Sequence, residues 1–228
     1  MQGRHSLVAR WFAGDRYPLL LLGAFGAIFV ALGIHPWYRE DWLLENMLVF
    51  AALAALIPTY RRLRFSNFAY TLIFLFFALH EIGAHYTYSL VPYDKWIEQF
   101  GGTALRASFG LRRNHYDRVI HFTYGLFMLV PAIELLRAVA PPRGVWRYLL
   151  PVLFLLSHSA LYELIEYGAA IAFGGDLGVA YTGTQGDPWD SQKDMVCAMA
   201  GSLLAMVCVI ICETAYRRIR HDRESRSI

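Results

Sequence analysis

Apolar residues gather along the chain into six stretches, at 18–35, 42–60, 67–90, 117–137, 146–173 and 191–214, parted by short runs rich in arginine, glycine and proline. Each stretch is near the ~20 residues a helix needs to cross a ~30 Å hydrocarbon core. The expectation is an all-α, polytopic membrane protein: a bundle of about six transmembrane helices forming one membrane domain over residues 1–228. No internal repeat, low-complexity tract or soluble domain interrupts the pattern.

The first stretch has to be told apart from a secretory signal, because Arg4, Arg10 and Arg16 precede the apolar run 19–32. That run is long for a signal's apolar core, and His35-Pro-Trp-Tyr-Arg follows it where a small-x-small cleavage site belongs, so a retained helix is expected. Arginine also sets the orientation. Arg4, Arg10 and Arg16, then Arg61, Arg62 and Arg64, then Arg137, Arg143 and Arg147, then Arg217, Arg218, Arg220, Arg223 and Arg226 all fall on one side of six crossings. That side is expected to be the cytoplasm of a bacterial inner membrane, with both termini on it. The opposite loops are 91–116, whose Lys95, Arg106, Arg112 and Arg113 depart from the rule, and 174–189, with its Gly-Gly-Asp and Gly-Asp-Pro turns. Trp37, Tyr38, Trp42, Tyr86, Tyr88, Tyr93, Trp96 and Trp189 cluster toward that face as an interfacial belt would.

Composition agrees: 57% of residues are hydrophobic and 17% charged, against roughly a quarter charged in soluble domains. The net charge of +3 is explained by the orienting arginines, so nucleic acid is not an expected partner. Cys197, Cys208 and Cys212 share one apolar segment without a CxxC spacing and are expected to be reduced, small apolar residues.

Ionisable groups cost roughly 2.5–3.5 kcal/mol each at mid-helix on insertion scales, yet stretches two to six all carry them. Counted from the outer face, Glu45 and Asn46 lie about a turn inside the second helix, His121 a turn below Asp117 in the fourth, and Asp194 a turn below Asp190 in the sixth. His80, Glu81 and His85, and Glu163 and Glu166, fall in the outer halves of the third and fifth. At ~100° per residue, Glu81 and His85 share a face. So do Asn114, Asp117 and His121, continued by Gly125; Ser159, Glu163 and Glu166; and Asp190 and Asp194, continued by Cys197 and Gly201.

The plainer account of any one of these groups is an interhelical hydrogen bond. The set resists it. Glu45, Glu81, Asp117, Glu163, Glu166, Asp190 and Asp194 face few cations, chiefly Arg118 and Lys193, and like charges in a low dielectric either share protons or require a cation. Carboxylates and histidines on facing helices are the ligand set of helix-bundle metal sites, and this donor chemistry suits Zn, Mn or Fe. The strict Glu-x-x-His spacing of the di-metal class is absent. Of the other histidines, His158 is expected to bond a neighbouring helix, His115 to be solvated or near the site, and His5, His35 and His221 to lie at the interface or in water. Glu134 is expected to pair with Arg137.

The run Arg113-Asn-His-Tyr-Asp-Arg-Val-Ile-His121-Phe, the string Ser159-Ala-Leu-Tyr-Glu-Leu-Ile-Glu166, and Thr184-Gln-Gly-Asp-Pro-Trp-Asp-Ser-Gln-Lys-Asp194 resemble the bacterial inner-membrane YjdF family. Leu44-Glu-Asn46 and His85-Tyr-Thr-Tyr-Ser-Leu-Val-Pro92 fit it too. The resemblance implies a multi-pass inner-membrane protein from the second helix through the sixth. It implies no reaction, since that family is a domain of unknown function. Asp117-x-x-x-His-Phe with acidic residues on the two following helices is more loosely similar to VanZ-like membrane proteins, without their Glu-x-x-Gln and Asp-x-x-x-Asn elements.

The expected site therefore takes Glu81, His85, Asp117, His121, Glu166, Asp190 and Asp194 as candidate metal ligands, with Glu163, Glu166 and Asp194 as candidate catalytic groups. His80, Arg113, Asn114, Arg118, Gln185 and Asp187 would orient ligands or meet substrate. The expected activity is that of a membrane enzyme on a lipid or lipid-linked substrate, with Arg112, Arg113 and Arg118 placed to meet a phosphate. The competing expectations are a proton- or cation-coupled transporter and a non-catalytic binding module.

Overall fold

The computed structural model describes residues 16–225; Arg4, His5, Arg10 and Arg226 lie outside the described residues. Helices account for the regular structure there: α1 (Arg16–Gly33), α2 (Arg39–Thr59), α3 (Asn67–His85), α4 (Tyr93–Gln99), α5 (Leu105–Phe109), α6 (Tyr116–Val139), α7 (Trp146–Phe173), α8 (Gly175–Thr182) and α9 (Asp190–Ser225). Six of them, α1, α2, α3, α6, α7 and α9, are long and apolar enough to cross a membrane. The chain divides into two compact units, one through Asn114 and one from His115.

In the first unit α3 packs against α1 and α2. Rings fill the contact: Phe25 meets Phe77, and Phe29 meets both Trp42 and Phe50. The side chain of Ser66 caps α3 by accepting from Ala69 N–H at 3.1 Å, which satisfies one of the orphan donors of a helix start. The sequence pattern carries this helix to residue 90, but it stops at His85. Tyr88 is the cause. Its ring folds back onto Gly83, where an added Cβ would lie 2.7 Å from the ring, and its hydroxyl reaches His80. That reversal holds Thr87 and Tyr88 at φ 57° and 40°, outside any helix.

In the second unit α6, α7 and α9 pack on one another and α8 lies on α7. Leu129, Ala132, Ile133, Val152, Leu155 and Ala205 form the buried core. Above it α6 and α9 touch backbone to backbone. A Cβ on Gly125 would run into the Ala198 carbonyl, and one on Gly201 into the Phe122 carbonyl. Small residues that let backbones approach are how membrane helices associate without a hydrophobic drive between them.

Arg137 reaches across to Glu213 on α9 at 3.1 Å. One local expectation is corrected. Nδ1–H of His158 donates to the Phe154 carbonyl of its own helix at 2.9 Å instead of to a neighbour, and the side chain is exposed. Cys197, Cys208 and Cys212 are free thiols.

Candidate functional site

The second unit gathers its polar side chains at one end. Asp117 and Asp190 sit in the first turns of α6 and α9, where the positive end of a helix favours a carboxylate. One turn deeper, His121 and Asp194 are buried. Glu163 and Glu166, also buried, come from the later half of α7. One ligand atom each from Asp117, His121 and Asp194 lies within 4.8 Å of the others. Nε2 of His121 is 3.3 Å from Glu163 Oε1 and 3.7 Å from Asp117 Oδ1, while Nδ1 is 3.4 Å from Ser159 Oγ. Ser191 addresses the Glu163 carboxyl, and the Tyr162 ring stands edge-on to the imidazole.

A second layer holds the rim. The Arg118 guanidinium bonds Asp187 at 2.6 Å and Asp190 at 3.1 Å, with Asp194 at 3.9 Å. Asp187 also accepts from Lys193 at 2.6 Å. The Lys193 ammonium, the Trp189 N–H and Arg118 together hold the Asp187 carboxyl well below the usual carboxylate range. The preceding loop folds over Asp117: a Cβ on Gly183 would meet Asp117 Oδ2 at 3.5 Å. Gly183, Gln185 and Gly186 make the turn at positive φ. Asp190 is thereby a partner of Arg118, outside the three-ligand group, and Arg118 is engaged with carboxylates instead of being open to a phosphate.

The remaining site candidates lie in the first unit. His80 has both ring nitrogens committed: Nε2–H donates to the Glu45 carbonyl at 3.2 Å and Nδ1 accepts from Tyr88 O–H at 2.5 Å. Glu81 is wholly buried beside Trp42 and Asn46, with neither carboxyl oxygen in a well-formed hydrogen bond. His85 turns away from it, donating from Nδ1 to the Leu32 carbonyl at 2.7 Å. Asn114 holds the Val91 carbonyl at 2.9 Å, and Arg113 Nε–H donates to the Asn114 carbonyl.

Two groups are not legible as partners in the sequence. Asp41 is wholly buried and accepts from Thr87 O–H at 2.6 Å; its i,i+4 spacing to Glu45 was the available signal. Glu213, at the other end of the second unit, gathers Arg137, Arg147, Arg217 and the Tyr148 hydroxyl.

Compared with known proteins, residues 17–215 match the family described as "Predicted membrane protein (DUF2238)". The chain belongs to this family. It is also 36% identical over 183 residues to the inner membrane protein YjdF of Escherichia coli strain K12, covering 79% of this chain and 82% of that protein. The family match spans both polar clusters, and the relative is an inner-membrane protein. No solved structure matches the chain.

Proposed function

We propose that Asp117, His121 and Asp194 form a divalent-metal site, with Glu163 beside it as an acid–base group, in a membrane enzyme that acts on a lipid or lipid-linked substrate at the outer leaflet. The observation that carries this reading is the convergence of ligand atoms from Asp117, His121 and Asp194 within 4.8 Å. Their electrostatics supports it. With Nδ1–H directed to Ser159, the lone pair of Nε2 faces two carboxylates, a repulsive arrangement unless a proton or a metal ion lies among them. One imidazole with two carboxylates suits Zn, Mn or Fe and leaves a coordination position open. A bound ion would lower the pKa of a coordinated water, and Glu163 or Glu166 would take its proton.

Depth fits the same reading. Asp194 and Glu213 stand 19 residues apart on α9, about 28 Å at ~1.5 Å per residue, close to the thickness of a hydrocarbon core. The arginines around Glu213 belong to the cytoplasmic side in the proposed orientation, with both termini there, and the acidic group then lies beneath the outer surface. Between these two ends the unit is filled by Leu129, Ile133, Val152 and Leu155, which speaks against a polar transport path through it.

The test is metal content by mass spectrometry on detergent-purified protein, with Asp117→Asn, His121→Ala and Asp194→Asn. The expected result is near-stoichiometric Zn, Mn or Fe, lost in folded variants, and a roughly 10- to 100-fold weaker site in Ser159→Ala. A folded wild-type protein that stays metal-free after loading with each ion overturns the reading. Substrate screens on the loaded protein then separate an enzyme from a non-catalytic binding module.

A further inference from the structure

We infer that the first unit carries a binding groove for an acyl chain of an anionic phospholipid, at the end opposite its buried Asp41 and Glu81. A cavity of ≈ 240 Å³ opens there between the start of α1, the end of α2 and the start of α3, walled by Leu19, Leu22, Phe25, Ala52, Leu56 and Phe74 among others. Its lining is hydrocarbon and aromatic carbon apart from the hydroxyls of Tyr60 and Tyr70. An apolar cavity of about 150 Å³ inside a soluble protein stays dry and accepts an apolar guest. A larger one, open at a rim where Leu22 and Ile57 are exposed, has a fluid of acyl chains as its surroundings.

The headgroup follows from charge. Arg16 begins α1 two residues before the lining residue Pro18, and Arg61, Arg62 and Arg64 follow the lining residue Tyr60. All four are exposed. Segments 16–33 and 49–77, which supply every wall of the groove, contain no aspartate or glutamate; Asp15 adjoins Arg16, so Asp15 with Arg16, Arg61, Arg62 and Arg64 still leaves an excess of positive charge. A guanidinium matches a lipid phosphate in hydrogen-bond geometry, and each arginine near the surface favours an anionic lipid by about fivefold. A zwitterionic lipid would fill the groove without adding net negative charge beside these arginines. The inference is independent of the metal reading, since none of these residues belongs to that site.

The experiment is native mass spectrometry of the detergent-purified full chain with dioleoylphosphatidylglycerol or dioleoylphosphatidylcholine added in equal amounts. Phosphatidylglycerol should be retained about tenfold better. The quadruple variant Arg16→Gln, Arg61→Gln, Arg62→Gln, Arg64→Gln should equalise the two lipids while keeping the adducts. Ala52→Trp, which fills the groove, should remove both adducts while its thermal melt stays cooperative. Equal retention of the two lipids by the wild-type chain overturns the inference. So does a phosphatidylglycerol adduct that survives in a folded Ala52→Trp chain. An Ala52→Cys chain that forms a disulfide dimer and holds no lipid assigns the groove to a second copy instead.

Discussion

Replacing Gly125 or Gly201 by alanine adds one methyl group where two membrane helices touch. At Gly125 the new Cβ would collide with the Ala198 carbonyl and come within 2.7 Å of the Ser202 amide nitrogen; at Gly201 it would collide with the Phe122 carbonyl and come within 2.9 Å of the Leu126 nitrogen. These obstacles are backbone, so no rotamer change relieves them. To restore ordinary contact α6 and α9 must part by something like an ångström, and a gap of 0.5–1 Å forfeits roughly a quarter to a half of the dispersion energy of the atoms involved. Overpacking costs about 1–3 kcal/mol, and a rigid obstacle puts each substitution near the upper end. Because both act on one helix pair, the double variant should lose less than the sum. Gly23 and Gly26 on α1 are the controls: nothing lies within 4 Å of either Cβ, so alanine there should be neutral or stabilising by about 0.5–1 kcal/mol. Equilibrium unfolding in mixed micelles, followed by circular dichroism, reads all five proteins. If Gly125→Ala and Gly201→Ala both fall within about 0.5 kcal/mol of wild type, the close-packing argument is refuted.

Other perturbations have definite signs. Burial alone would raise the Asp94 carboxyl, but the Arg106 guanidinium and the Arg106 and Leu105 N–H groups outweigh it and hold the carboxyl below its usual value. A depressed folded pKa means its stabilisation of the 93–109 loop is complete above the unfolded value of about 3.9 and is lost as pH falls through the folded one. Amide protection at Leu105 and Arg106, compared with Asp94→Asn, should therefore converge on the variant at low pH. Asp41→Ala strands the buried Thr87 hydroxyl and should cost about 1–3 kcal/mol; a cycle with Thr87→Val should show strong non-additivity if the 2.6 Å bond is the cause. Glu213→Gln weakens half-exposed pairs and should cost no more than about 1 kcal/mol, less at high salt; a larger, salt-independent loss would place that group in a drier environment than its exposure indicates.

Much of the second unit's site was legible because helical periodicity carries angular information. Asp117 and His121, Ser159 and Glu163, and Asp190 and Asp194 were paired by 4-residue spacings, and α6, α7 and α9 turn those faces toward one another. Gly125 and Gly201 were visible as continuations of two stripes. Spacing within one helix says nothing of which atom on another helix meets it. That is why the engagement of Arg118 by Asp187 and Asp190, and the reach of Arg137 to Glu213, are not legible in the spacing. Glu81 and His85 show the limit most clearly. They share a face by number, yet His85 sits where α3 ends and its ring turns to the Leu32 carbonyl, while Glu81 stays under Trp42 and Asn46.

Six apolar stretches and their arginine-rich joints were enough to determine the all-α class and the membrane habit, because the length of a hydrocarbon core and the 1.5 Å rise of a helix leave few alternatives. Only the tertiary structure decided where α3 stops, which histidine has both nitrogens occupied, and which carboxylates meet a guanidinium. Those outcomes depend on contacts between residues tens of positions apart, such as Tyr88 folding over Gly83 or Arg118 reaching Asp187. Such contacts are set by packing and hydrogen-bond geometry in three dimensions, to which the local pattern of apolar and polar residues is blind.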